Sequence, residues 1–481
     1  MLISAGSYHT PPPGPHAPVT SKTLLIRDAA VIATFDDARR ELTDASLLAR
    51  DGVIEAVGPA ASLPRTADEV IDARGHLVLP GLVNTHHHMC QSLTRAVRAV
   101  QDAELFSWLS GLYPIWARLT PEMIRVATQV AMAELLLSGC TTTSDHLYIY
   151  PNGVRLDDSI EGARAAGMRF TATRGSMTVG RSQGGLPPDE VVERPDDVLR
   201  ETERLIGRYH DRARGAMLQI AVAPCSPFSV SRELMRDSAA LARKHGVRLH
   251  THLAENDHDV AYTREKFGCT PAEYAEELGW LGEDVWHAHC VKLDAAGLAR
   301  FAATGTGVAH CPSSNMRLAS GIAPVLAMRR AGVRVGLGVD GSASNDGAQM
   351  VAEARQALLL QRVGLALEPF GCDRGPAAMT VRDALALATR GGAQVLGRPD
   401  IGHLAPGMCA DLALFDLGGV AFSGAAVHDP VGALLLCASP GAAYTVVDGQ
   451  VRVRQGRLTS FDLDPVVRRH GELALALVAG G

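Results

Sequence analysis

The run Leu79-Pro80-Gly81-Leu82-Val83-Asn84-Thr85-His86-His87-His88 ends an apolar stretch in three consecutive histidines. Read as a strand over residues 82–88, it places alternate side chains on one face, so His86 and His88 point together and His87 points away. Two imidazoles fixed at one strand end supply half of a four-ligand metal site. A histidine run can equally be a solvated turn, and the motif alone leaves the two readings level.

Other residues of the same chemistry fall in matching places. Later β-rich runs give His250 and His252 within residues 247–253, His287 and His289 within 285–290, and Asp340 just after 333–339. A random scatter of 18 histidines is not expected to collect on strand ends beside a terminal aspartate. Alternation turns both rings of each later pair inward, with the second ring nearer the mouth. His252 and His289 are therefore the expected participants, and His250 and His287 read as buried histidines bonded to their neighbours. Glu255 follows His252 by three residues, where a carboxylate can reach a substrate without entering the metal shell, as acid/base chemistry at a metal requires. Its alternative reading is a helix-capping surface acid.

These residues need elements that bring them to one point. Runs 82–88, 141–146, 169–174, 218–224, 247–253, 285–290, 307–311 and 333–339 read as strands, which makes eight, alternating with stretches of helical period. Helices are expected over 121–137, opened by Thr120 and a first-turn proline, over 196–209, and over 231–245, closed by Gly246. Eight such units predict a (β/α)8 TIM-like barrel, which carries its chemistry at the C-terminal strand ends. A doubly wound sheet is the runner-up, and the polar residues at the strand ends favour the barrel. Runs 23–34, 45–50 and 53–57, with turn chemistry at Asp51-Gly52, and runs 407–416 and 444–451 read as strands of a small lobe. The predicted organisation is a disordered tail over 1–21, a β-sandwich built from 22–78 and 401–481, and the barrel over 79–400.

With 481 residues, 47% of them hydrophobic, the chain can bury a large core. A net charge of −6 offers no basic surplus for a phosphate backbone or an anionic membrane, so no nucleic-acid or membrane partner is expected. The first 21 residues lack the apolar block of a secretion signal, and a cytoplasmic location is expected. The nine cysteines lack Cys-x-x-Cys spacing and read as core residues of a reducing compartment rather than a disulfide framework.

In order along the chain, residues 80–88, His252-Leu253-Ala254-Glu255, Ala288-His289-Cys290-Val291 and Gly338-Val339-Asp340-Gly341-Ser342 resemble the amidohydrolase superfamily, specifically its mononuclear nucleobase-deaminase branch. The resemblance runs from about residue 75 to the C-terminal lobe. It implies one divalent metal ion held by His86, His88, His252 and Asp340, with zinc expected and iron able to use the same ligands. It also implies Glu255 as the proton carrier, and His289 with Asp340 as the groups that orient the attacking hydroxide. The reaction implied is hydrolytic removal of an amino group from a ring carbon. A binuclear branch that opens cyclic amides needs a carboxylated lysine on the fourth strand, and the only lysines, Lys22, Lys244, Lys266 and Lys292, lie elsewhere. A non-catalytic homologue would show losses among these positions, and none is lost.

The loops around residues 88–95, 104–109, 112–116, 174–177, 223–228 and 311–317 resemble those of 8-oxoguanine deaminases, with Cys90 standing where that family tends to carry Tyr. The resemblance implies an aminated small heterocycle as substrate. Gln91, Trp116 and Arg174 are the candidates for holding its flat ring, with packing or a surface ion pair as the alternative role for each. Isoxanthopterin deaminases and hydroxytriazine aminohydrolases share much of the pattern. A homo-oligomer, a dimer, is expected.

Overall fold

Eight short strands close into one parallel barrel. The computed structural model describes residues 22–367 and 375–479; the tail expected over 1–21 lies outside the described residues. The N-terminal strands β1 (Thr23–Ala33), β2 (Glu41–Arg50), β3 (Val53–Pro59), β4 (Glu69–Asp72) and β5 (His76–Pro80) precede the barrel strands. The barrel is β6 (Leu82–Asn84), β7 (Cys140–Leu147), β8 (Arg169–Ser176), β9 (Leu218–Pro224), β10 (Arg248–Leu253), β11 (Val285–His289), β12 (Gly307–His310) and β13 (Arg334–Leu337). Closure comes where Leu337 pairs with Asn84 and Thr85 N donates to Leu337 O at 2.8 Å. A doubly wound sheet has two edges; this one has none.

The first barrel strand is shorter than residues 82–88 because its ladder stops at Asn84, and the histidines stand in the stretch beyond it. The helices follow their sequence signals. α1 (Leu105–Trp116) opens at Glu104, whose carboxylate accepts from Phe106 N and Ser107 N; α2 (Pro121–Leu137) opens at Thr120, whose hydroxyl accepts from Met123 N. The helix over Arg232–His245 starts at Ser231 and ends at Gly246 with φ 60°, the left-handed turn that glycine adopts without strain. No described helix is long and apolar enough to cross a membrane.

Both chain ends contribute to one sheet beside the barrel. β14 (Leu412–Asp416), β15 (Tyr444–Val447), β16 (Gln450–Arg454) and β17 (Arg457–Leu458) complete nine strands in the order β17-β16-β15-β14-β5-β1-β2-β3, with β4 paired to β1. The two halves join where β14 lies antiparallel to β5. A register shift between Ile26 and Ala29 lets the long β1 pair first with β4 and then with β5. The sheet encloses its own core, with Leu24, Ile26, Ile32, Leu47, Ile71, Val78, Leu412 and Val446 buried together. The strands are hydrogen-bonded in one sheet, and Val53 of β3 also bridges Cys409 just before β14. Arg169, fully buried at the start of β8, ties sheet to barrel: its guanidinium bonds both Asp411 oxygens at 2.7 and 3.1 Å and Asp448 Oδ1 at 2.8 Å. The described cysteines are all free and most are buried.

Candidate metal centre and active site

The arrangement at the barrel mouth follows from which nitrogen of each histidine carries its proton. His88 Nδ1 lies 2.7 Å from His146 O, and His252 Nδ1 lies 2.7 Å from Cys225 O. A carbonyl only accepts, so both Nδ1 atoms are protonated and both Nε2 atoms carry lone pairs in the neutral rings. His86 reaches the same state through a relay. His250 Nδ1 donates to Trp286 O at 3.0 Å, His250 Nε2 accepts from His86 Nδ1 at 2.8 Å, and His86 Nε2 is left bare. Burial holds these rings neutral by lowering their pKa values.

Three bare nitrogens and a carboxylate then converge. His88 Nε2 is 3.1 Å from His252 Nε2, and Asp340 Oδ1 is 3.2 Å from His86 Nε2 and 3.3 Å from His88 Nε2. No proton lies between any of these atoms, and His86 Nε2 is buried without a partner. Acceptors packed this closely repel one another unless a cation sits among them, and three imidazoles with one carboxylate suit a divalent transition metal. The donor set therefore fits the expected ion. The carbonyls behind His88 and His252, and His250 behind His86, fix which nitrogen of each ring carries the proton.

The backbone at these strand ends is unusual. Asp340, His289, Cys290 and Ala254 have φ of 60°, 69°, 51° and 52°, a left-handed region that non-glycine residues rarely adopt. At His289 this has a visible effect. Trp286 stacks on the inward-facing His250, with ring centroids 4.5 Å apart, so alternation sends His287 outward, where it packs on Phe301 and bonds Trp280 O. The expectation that both rings of this pair face inward is therefore corrected. His289 sits on the same nominal face as His287, and the left-handed turn swings it to the mouth. There its Nδ1 donates to Asn315 Oδ1 at 2.9 Å, and its Nε2 stands 3.6 Å from Glu255 Oε2 and 3.7 Å from Asp340 Oδ2. Gly338 makes the packing possible, since a Cβ there would lie 2.7 Å from the His86 Cβ.

Glu255 and His289 perturb each other's proton affinity. Burial pushes the Glu255 carboxyl up to about 7, against the opposing pull of His289. Burial disfavours a charged His289, but the carboxylates of Glu255 and Asp340 outweigh it and raise the imidazole above its ordinary value. A buried acid and a buried base facing each other at one mouth can move protons near neutral pH.

A narrow cavity opens onto this centre. Glu255, His289, Asp340, His88 and His252 form its polar end; Leu105, Trp108, Leu109, Phe228 and Leu318 supply apolar wall; Gln91, Tyr113, Tyr148, Cys225, Ser226 and Ser344 complete it. Leu105, Trp108, Leu109 and Tyr113 recur at helical spacing, so α1 lays one face over the cavity as a roof. A wider cleft beneath the barrel, lined by Arg39, Arg329, Arg334 and Arg390 among others, shares no residue with it.

Of the expected ring-holding residues, the structure brings Gln91 to the cavity and leaves the other two outside. Trp116 packs behind Tyr113 and donates its Nε1 to Thr94 Oγ1 at 3.1 Å. Arg174 is held by Glu193, 2.6 Å from Nη2, with its guanidinium 4.0 Å over the Tyr150 ring. In this structure the Trp116 indole N–H bonds Thr94 and both terminal nitrogens of Arg174 bond Glu193, while Arg174 Nε is buried without a partner among the described residues, and neither side chain lines the cavity. Cys90 is likewise buried outside the cavity. Tyr113, Tyr148, His146 and Asn315 were missed. The stripe through α1 was the signal for Tyr113; nothing local in the sequence marks the others. Trp116→Phe should consequently leave kcat/KM within a few-fold of the parent value while costing about 1 kcal/mol of stability, measured by denaturant unfolding, for the lost indole bond. A tenfold loss of kcat/KM at unchanged stability would return Trp116 to the substrate.

Residues 77–452 match the amidohydrolase family. The chain is 50% identical over 437 residues to 8-oxoguanine deaminase of Pseudomonas aeruginosa, covering 90% of this chain and 95% of that one. It is 39% identical over 430 residues to an isoxanthopterin deaminase from an unknown prokaryotic organism, covering 85% and 88%. Among solved structures it resembles the zinc complex of atrazine chlorohydrolase from Arthrobacter aurescens, with a TM-score of 0.87, 36% identity, and coverage of 94% of this chain and all of that one.

Proposed function

The chain belongs to the amidohydrolase family, and from that premise we propose that it hydrolyses the 2-amino group of 8-oxoguanine, giving urate and ammonia. The observation that carries the reaction class is the facing of Glu255 and His289 beside Asp340, next to a cluster of proton-free ligand atoms. The substrate rests on the likeness to the Pseudomonas deaminase across nearly the full length of both chains.

His86, His88, His252 and Asp340 would hold one divalent ion, which we take to be zinc on the strength of the donor set and the related zinc complex. When bound, such an ion supplies a Lewis acid that makes water nucleophilic near neutral pH. The protein's own groups do the rest. Glu255 takes a proton from the attacking water and delivers it to the ring nitrogen beside C2, which makes that carbon electrophilic. A carboxyl with a pKa near 7 can both accept and release that proton at working pH. His289 Nε2 and Asp340 Oδ2, 3.7 Å apart, hold the attacking oxygen between them, and His289 donates towards the charge that develops on it. The C2–N bond then breaks as the second water proton, on the added hydroxyl, passes by way of Asp340 to the departing amine and the carbonyl forms, so water plus 8-oxoguanine balances urate plus ammonia. The apolar roof from α1 keeps bulk water from competing.

The test is a comparison of kcat/KM for 8-oxoguanine, guanine, isoxanthopterin and a hydroxylated aminotriazine under one set of conditions. 8-Oxoguanine should be the best substrate, with guanine much poorer. Faster turnover of the pterin or the triazine would keep the chemistry and overturn the substrate.

A further inference from the structure

We propose that the Tyr113 hydroxyl reads the oxygen at C8 of the purine and so makes the enzyme select the oxidised base over guanine. This rests on the 8-oxoguanine reading above. Tyr113 lines the cavity and is fully buried, yet its hydroxyl has no hydrogen-bond partner among the described residues. A buried hydroxyl facing a cavity is a group awaiting a ligand atom, because native proteins rarely leave such groups unpaired.

Its place along the cavity says which ligand atom. The Tyr148 ring stands edge-on to the ligand His88, with centroids 5.1 Å apart, and Tyr148 Oη accepts from Gln91 Nε2 at 3.4 Å. Tyr113 lies on the roof helix with its ring packed on Trp116, and it is Tyr148 rather than Tyr113 whose ring packs on a ligand histidine. A purine attacked at C2 directs its five-membered ring, and the C8 substituent, away from the metal ligands. Burial also keeps the phenol protonated, so it presents a donor. Guanine carries only C–H at that position and leaves the hydroxyl unpaired, which is the circumstance in which a polar site discriminates most sharply. The oxidised ring offers a carbonyl oxygen instead. Gln91, which also lines the cavity, has its Oε1 buried against Gly341 without a partner among the described residues.

Tyr113→Phe tests this with minimal disturbance. The removed hydroxyl bonds nothing among the described residues, so the ligand-free variant should melt at or above the parent temperature and keep its metal. Its kcat/KM for 8-oxoguanine should fall about 10–10²-fold while that for guanine stays within about threefold, so the ratio of the two drops at least tenfold. Urate should lose inhibitory affinity for the variant and xanthine, which lacks the C8 oxygen, should not. An unchanged ratio and unchanged urate inhibition would overturn the assignment to Tyr113 alone. Failure of the unaltered, metal-loaded enzyme to turn over 8-oxoguanine would overturn the underlying reading and this assignment with it.

Discussion

Glu255→Gln lowers kcat by about 10²–10⁴-fold and leaves the metal content unchanged. Glutamine keeps the length and shape of the side chain but cannot carry a proton between water and the ring. Glu255 also stands apart from the ligand atoms: its near contact is His289 Nε2 at 3.6 Å, whereas the ligand nitrogens lie against Asp340 and one another. The loss should therefore appear in kcat, with metal measured by elemental analysis equal to that of the parent. If the variant keeps near-native turnover, Glu255 is a structural acid that caps the loop after β10, and another group carries the proton. If turnover and metal disappear together, Glu255 belongs to the ligand set.

His252→Ala removes both metal and activity. Its Nε2 lies 3.1 Å from the Nε2 of His88, and its Nδ1 is held by the Cys225 carbonyl, so the ring has no other function that the structure shows. Loss of one of four ligands should bring bound metal well below one ion per chain. The charge stabilisation that a metal supplies is worth several kcal/mol, so turnover should fall by at least ~10²-fold. A variant that retains one tightly bound ion and most of its activity would show that the ligand set is drawn wrongly, with His146 the next nitrogen to test, since it clusters with the same three histidines.

Most of this centre is legible in the sequence because its signals are local. His-x-His after an apolar run, a glutamate three residues past a third histidine, and an aspartate closing the last strand each sit within a few residues of a strand end. Alternation along an extended chain then gives the side-chain directions. It failed for His287, which faces outward, because the left-handed backbone at His289 brings that ring alone to the mouth and a rule built on regular pleating has no place for φ of 69°. The substrate-facing residues were harder for another reason. Trp116 and Tyr113 are both aromatic residues of one helix, and only the packing of that helix against the cavity decides that Tyr113 faces in and Trp116 backs it. Arg174 reads as a ring-binding group, and its pairing with Glu193, nineteen positions on, is not legible from the sequence. The lobe shows the same limit at larger scale. Its strands and the union of both chain ends in one lobe are legible from composition and turns, but the register by which β14 adds to β5, between residues hundreds of positions apart, is encoded by no local pattern.

The central claim is that this centre removes the 2-amino group of 8-oxoguanine by hydrolysis. Its most direct test follows 8-oxoguanine with the purified, metal-loaded protein and measures urate by absorbance and ammonia independently. The expected result is full conversion with one urate and one ammonia formed per 8-oxoguanine consumed, abolished when the metal is stripped and restored when it is returned. Metal-loaded protein that leaves 8-oxoguanine unchanged, or consumes it without releasing ammonia, would contradict the account.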